Sequence, residues 1–181
     1  MYKFPISRSK RFIVKKITLK NVNKKYLSWF SKPSLNKYII TSNQITKGGL
    51  KYLNLYVRKK IKKKRILFLG IFTKNNIHIG NIKFEPISKK KKTAVLGVLI
   101  GDKKWRNKGV LKEVFPIIIK FLIKCGILRI ELGVDTKNKI AIIAFKRLGF
   151  VKLDLNEYKL VKKERNGQAF YVHKILKNMK K

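Results

Sequence analysis

Residues 94–114 read AVLGVLIGDKKWRNKGVLKEV, and this stretch decides the fold. Ala94 to Ile100 are apolar throughout, which predicts a central β-strand covered on two faces. Gly97 inside it predicts a bulge or a close approach by another group. The strand runs into a basic turn, and from Gly109 an apolar helix is expected to reach Cys125 and end at Gly126, with a kink at Pro116. Such a turn is an anion site. Main-chain N–H groups at a helix N-terminus point at the ligand, the dipole adds partial positive charge, and Arg106 and Lys108 add full charges. A solvated loop has the same composition, so the turn alone names no ligand.

Upstream, Phe12 to Leu19 (FIVKKITL) reads as a first strand and Val22 to Phe30 as a helix that Pro33 ends. A second helix is expected over Leu50 to Lys60, where Leu50, Leu53, Leu55 and Val57 are apolar and Gly48 and Gly49 blur the start. Ile66 to Phe72 and Ile77 to Phe84 are apolar runs joined by Thr73-Lys74-Asn75-Asn76, a hairpin pattern. Downstream, Arg129 to Val134 (RIELGV) predicts a strand and Asn138 to Leu148 an amphipathic helix with Gly149 as its C-cap. Glu157 to Val161, Arg165-Asn166-Gly167-Gln168 and Phe170 to Ile175 predict a closing hairpin with an Asn-Gly turn. The sum is an α+β (mixed α/β) pattern with a mostly antiparallel sheet.

The chain has 181 residues, 45% of them hydrophobic, enough for one compact domain with a real core, and no repeat or linker divides it. Lys and Arg number 47 against 8 Asp and Glu, a net charge of +39. Nucleic-acid binding, attraction of small anions and a genome-wide bias toward Lys, Ile and Asn codons all produce such a charge. The lysine runs at 59–65 and 89–92 are not interleaved with aromatics as a base-stacking surface would be, so nucleic acid is disfavoured as partner. The single cysteine, Cys125, cannot form an internal disulfide, and a reducing, cytoplasmic location is expected. Residues 1–16 lack the apolar stretch of a signal peptide, and Lys120 and Lys124 break the longest apolar run, so no membrane span is expected. His173 has no partners at metal-ligand spacing, and no metal site is expected.

The order of strand, basic turn, buried helix, strand and NKIAIIAFKRLGF (Asn138 to Phe150) resembles the GNAT superfamily of acyl-CoA-dependent N-acetyltransferases. Arg106 and Gly109 match its Arg/Gln-x-x-Gly-x-Gly/Ala motif, and Asn138 through Phe150 resembles its Asn-x-x-Ala...Tyr-x-x-x-Gly-Phe ending. Tyr26-Leu27-Ser28-Trp29, Leu35-Asn36-Lys37-Tyr38 and His78-Ile79-Gly80-Asn81-Ile82 look like the ribosomal-protein-type subgroup. The resemblance covers about residues 12–176, leaving basic ends.

What the resemblance implies is a twisted sheet splayed between the strands near 94–100 and 129–134, helices on both faces, and acetyl-CoA in the gap. The pantetheine arm would pair with backbone near Leu99 and Ile100, and the pyrophosphate would rest on the amides of Arg106, Asn107, Lys108, Gly109, Val110 and Leu111. Asn138 would reach the cofactor arm, and Phe145 would lie beside it. Tyr26, Trp29 and Tyr38 would form one wall of the acceptor pocket, a reading that ordinary core packing matches equally. Three positions depart from the family pattern. Leu111 replaces a small Gly or Ala, Phe145 a tyrosine that can protonate the leaving thiolate, and Val95 a frequent glutamate. An acceptor amine must still lose a proton. Glu85 and His78 are the remaining candidates, each also readable as a plain strand or loop residue, and a water chain is the alternative.

The expected activity is acetyl transfer from acetyl-CoA to a primary amine by direct attack. The YLSWF and HIGNIKFEPI segments look more like relatives acting on nucleotide-linked amino sugars, the favoured small-molecule acceptor, with a protein N-terminal amine as the alternative. From other classes, a basic nucleic-acid-binding module or a catalytically silent CoA-binding fold would also carry these residues.

Overall fold

The structure, a computed structural model, describes residues 2–33, 38–39, 41–153 and 168–174. Among the described residues, eight strands form one sheet in the order β1-β2-β3-β4-β5-β6-β8-β7, with four α-helices: an α+β architecture, mostly antiparallel. Contacts along the chain divide it into two compact units, Met1–Lys83 with Val98–Val110, and Phe84–Gly97 with Leu111–Lys181.

In the first unit, β1 (Ser7–Arg8) pairs antiparallel with β2 (Phe12–Lys16), and β2 with β3 (Leu67–Thr73) in the register Phe12↔Thr73 to Lys16↔Leu69. Phe12 and Val14 are buried while Ile13 is only half so, the period-2 alternation of a strand. Helix α1 (Lys24–Ser28) starts where the Asn23 side chain accepts the Tyr26 N–H at 2.9 Å, satisfying an otherwise orphan donor. It is shorter than the expected span of 22–30. Helix α2 (Ser42–Ile61) begins eight residues before the expected Leu50, because a separate helical piece joins it across a kink at Gly49 (φ 59°, ψ −153°). Only glycine adopts that conformation without strain, so the glycine pair bends the helix rather than starting it. Leu53 and Val57, one turn apart, are buried with Ile45, while Leu50 and Leu55 face outward. These residues pack with Ile17, Tyr26, Trp29, Phe30, Ile66 and Phe68 into one core, against which Leu99 also lies.

Strand β4 (His78–Ser88) follows β3 through the expected turn: the Asn76 N–H donates to the Thr73 carbonyl at 3.0 Å, and Asn76 holds φ 59°. Strand β5 (Thr93–Ile100) corrects one expectation. Its first half is covered, but Gly97 is exposed and Val98, Leu99 and Ile100 are only half-buried, so the apolar run is not enclosed along its length.

In the second unit, β5 pairs with β6 (Arg129–Asp135) in parallel over Thr93↔Arg129, Ala94↔Ile130 and Val95↔Glu131. The ladder starts where the Lys92 carbonyl accepts the N–H groups of Leu128 and Arg129 at 2.8 and 3.1 Å. β6 continues to Asp135, paired along its length with β8 (Gln168–Lys174), which also pairs with β7 (Val151–Lys152). Helix α3 (Val110–Lys124) buries Val114, Ile118 and Leu122, spaced four apart, to 0% exposure, each worth ~1.5–3 kcal/mol of burial. It runs unbroken through Pro116, which sits on its exposed side, and ends at Gly126 with φ 77°. Helix α4 (Lys139–Arg147) ends at Gly149, φ 83°, where the Phe150 N–H reaches back to the Phe145 carbonyl at 3.0 Å. Of the expected closing hairpin, 157–161 and its Asn-Gly turn lie outside the described residues; β8 is its second arm.

Candidate active site

The turn between β5 and α3 is held from several sides, all within the first unit. The Ile79 carbonyl accepts both the Gly101 and Asp102 N–H groups, at 3.0 and 3.1 Å. Asp102 caps a short 3-10 turn, Lys103–Trp105, by accepting the Lys104 N–H at 3.1 Å. Trp105 packs edge-on against Phe12 at 5.2 Å between centroids. Gly101 lies directly under the Trp29 ring, where any Cβ would collide with the indole. Gly80 is similarly constrained, since its Cβ would come within 2.6 Å of the Leu99 carbonyl oxygen.

Arg106 does something the sequence does not suggest. Its Nε donates to the Ile100 carbonyl at 3.1 Å and its Nη2 to the Gly101 carbonyl at 3.0 Å, so the guanidinium buttresses the end of β5. Beyond it the backbone alternates in sign: Arg106 has φ −69°, Asn107 φ 58° and Gly109 φ 70°, while Lys108 is not among the positive-φ residues. Positive φ at alternate residues is a backbone feature from which anion-binding nests are built, which makes this turn the candidate nest. The N–H groups of Asn107, Lys108 and Gly109 have no partner among the described residues, whereas the Lys108 carbonyl on the other side is engaged by Arg11 Nη2 at 2.9 Å. A Cβ at Gly109 would have room, its nearest neighbour being Arg11 Nη2 at 3.8 Å, so it is the left-handed backbone that requires glycine. This donor set suits a diphosphate, and the fold thus fits a CoA thioester cofactor on its own geometry.

Beside the turn is a cavity of about 610 Å³. One wall comes from α1 and the residues after it: Lys25, Ser28, Trp29 and Lys32. The other comes from the turn: Asp102, Lys103, Lys104, Arg106 and Lys108. Lys25 Nζ and Asp102 Oδ2 are 3.0 Å apart. Partial burial pushes the Asp102 carboxyl up, but the Lys25 ammonium and the Lys104 N–H together outweigh it and hold it below the usual carboxylate range.

Trp29, Arg106 and Lys108 of the expected site residues therefore meet at one cavity. Tyr26 does not line it. It is 2% exposed in the core, 5.0 Å from the Trp29 ring, and burial holds its phenol well above its usual pKa. Tyr38 is half-buried next to residues outside the described set. His78 is enclosed, its ring stacked on Phe72 at 4.8 Å and flanked by Trp29 at 4.8 Å and Tyr26 at 5.2 Å. Its Nε2–H donates to the Gly80 carbonyl at 3.1 Å and to Asn81 Oδ1 at 2.9 Å. Burial lowers its pKa to about 4, so it is neutral at pH 7 and a poor proton acceptor.

In the second unit, Asn138 caps α4 by accepting the Ala141 N–H at 3.3 Å, and Phe145 is buried 5.6 Å from the Phe150 ring. Leu111 and Glu85 are half-buried, Glu85 on β4. Glu131 escaped the sequence reading. It is 1% exposed on β6, with Oε1 2.7 Å from Arg129 Nε and Oε2 without a partner among the described residues. A carboxylate inside the apolar strand RIELGV was the available signal. No group of metal-ligating side chains occurs among the described residues, and no described helix is long and apolar enough to cross a membrane.

Among solved structures, a domain from Methanocaldococcus jannaschii shares 22% identity and superposes with a TM-score of 0.68, covering 92% of this chain and 99% of that one. RimL, a ribosomal L7/L12 alpha-N-protein acetyltransferase solved with coenzyme A, shares 15% identity with a TM-score of 0.77 over 94% and 97% of the two chains. The microcin C7 self-immunity acetyltransferase MccE, solved with acetyl-CoA and AMP, shares 18% identity with a TM-score of 0.74 over 92% and 93%. These likenesses establish the fold. No curated protein matches the sequence. The acetyltransferase (GNAT) domain family matches residues 11–151, a span that holds the nest, the cavity and both glycine-capped helices. With most of its length matched, the chain belongs to the GNAT acetyltransferase domain family and is an acetyl-CoA-dependent acetyltransferase.

Proposed function

We propose that the chain, working as one catalytic domain, moves the acetyl group to a primary amine by direct attack, and that the acceptor is a protein N-terminal amine. The observation that carries the reading is the sign-alternating backbone at residues 106–109 opening α3, because it offers main-chain donors in a fixed array that needs no rearrangement to receive a diphosphate. Asn107, Lys108, Gly109, Val110 and Leu111 would hold that diphosphate, and the backbone of Leu99 and Ile100, steadied by Arg106, would orient the arm. Bound acetyl-CoA supplies an acetyl thioester as the acyl donor. Trp29 and the α1 wall then place the amine, converting an encounter in solution into a positioned one. With His78 neutral and enclosed, proton removal is left to Glu85 or water.

RimL's recorded substrate class favours the protein amine. The nucleotide-linked amino sugar expected from YLSWF and HIGNIKFEPI finds no support among the relatives. The test is acetyl-CoA titration by calorimetry at roughly 0.3 M salt, where unspecific phosphate attraction is heavily screened, with Gly109→Asp as control, followed by thiol release with N-terminal peptides. Saturable one-to-one binding lost in the variant and thiol release dependent on peptide are expected. Binding that survives Gly109→Asp unchanged sinks the assignment of the turn.

A further inference from the structure

We infer that the acceptor is anionic next to its amine: an N-terminal peptide whose first positions after the terminus carry carboxylates. The inference rests on the acetyl-transfer reading above and concerns the cavity's other wall. Six of its nine lining residues are Lys or Arg, and they come from both walls. Two of the six are already committed, Arg106 to the carbonyls of Ile100 and Gly101 and Lys25 to Asp102. Lys32, Lys103, Lys104 and Lys108 have no ion-pair partner among the described residues.

The diphosphate does not require all of these. In the acetyl-transfer reading the diphosphate is held by main-chain N–H groups of the turn, whereas Lys25 and Lys32 belong to a different element, the α1 side. A volume of about 610 Å³ lies in the range of small-ligand pockets, ~300–1,000 Å³, enough for several residues of an extended peptide end. The one lining carboxylate, Asp102, is paired, so nothing in the cavity offers a cation its counter-charge. A polyamine or a lysine-rich terminus would be repelled at every step of approach. A terminus bearing Asp or Glu would be drawn in, its carboxylates settling on Lys32 and Lys104 while the amine stays at the acyl donor.

The test uses the full-length protein with saturating acetyl-CoA and three synthetic peptides that share a free N-terminal serine but carry Asp, Gln or Lys at the next three positions. Initial rates of thiol release are read at about 0.05 M and 0.3 M salt, with a nucleotide-linked amino sugar as a fourth acceptor. The Asp peptide is expected to exceed the Lys peptide in kcat/KM by roughly ten-fold or more at low salt, with the margin narrowing at high salt. Lys32→Glu and Lys104→Glu should each lower the rate for the Asp peptide and raise it for the Lys peptide, with the KM for acetyl-CoA held. Equal rates, a reversed order, or variants that change only the KM for acetyl-CoA overturn the inference. A faster amino sugar overturns the peptide as the source of the negative charge. If acetyl-CoA binds by calorimetry and no peptide is acetylated, the inference fails; if acetyl-CoA does not bind, it is the acetyl-transfer reading that fails.

Discussion

Acid should loosen this protein through His78. The ring is 8% exposed among three aromatic side chains, and its pKa falls from 6.5 to about 4 because burial penalises the imidazolium. The unfolded chain therefore takes up a proton below pH 6.5 that the folded chain refuses until about pH 4, and stability falls as pH drops through that window. The two values imply a loss of about 2 kcal/mol by pH 5 and about 3 kcal/mol by pH 4 from this one group. Against a total stability of ~5–15 kcal/mol that is a large share. Urea unfolding at pH 7.5 and pH 5 should be measured for the wild type and for His78→Gln, whose amide can still donate toward Gly80 and Asn81. The glutamine variant starts less stable but should lose about 2 kcal/mol less between the two pH values. His173, also lowered by burial, is present in both proteins and cancels. If the two proteins lose stability in parallel, His78 is protonated in the folded state and the argument from its burial is wrong.

Gly101→Ala forces a methyl group into the Trp29 ring and should cost about 1–3 kcal/mol, read as a fall of several degrees in Tm; an unchanged Tm would contradict the packing described. Gly109→Ala meets open space, so its effect comes from the left-handed backbone alone, roughly 1 kcal/mol of stability with a clear loss of acetyl-CoA affinity in calorimetry. Arg106→Lys keeps the charge but not the two-pronged grip on Ile100 and Gly101. Its acetyl-CoA affinity should drop to nearly that of Arg106→Ala, and a lysine variant that binds like wild type would show that charge, not buttressing, is what the position supplies.

The long periodic elements were legible: α3 and α4 carry their apolar stripes and their glycine ends in the sequence, and the β3–β4 turn announces itself in four polar residues. Two-residue strands such as β1 and β7 have no period to detect; they exist because a neighbouring strand presents an edge. The start of α2 was missed because Gly48 and Gly49 read as a boundary where the chain uses them as a bend. At the site, the sequence marks the basic turn before α3 but gives no sign that Arg106 donates to two carbonyls six and five residues back. Tyr26 and Trp29 read alike in the sequence and both are buried in the core, but only Trp29 also borders the cavity. Glu131 paired with Arg129 could be found only once both side chains were placed on β6.

The stacking of Trp29 on Gly101 makes two distant positions a single unit of inheritance. A side chain at 101 is admissible only if 29 shrinks, and a smaller residue at 29 opens a hole unless 101 grows. Remodelling this part of the cavity lining is therefore a two-residue problem. A library that varies position 29 alone will return mostly destabilised proteins, whereas one that pairs each smaller residue at 29 with Ala or Ser at 101 keeps the two positions in contact.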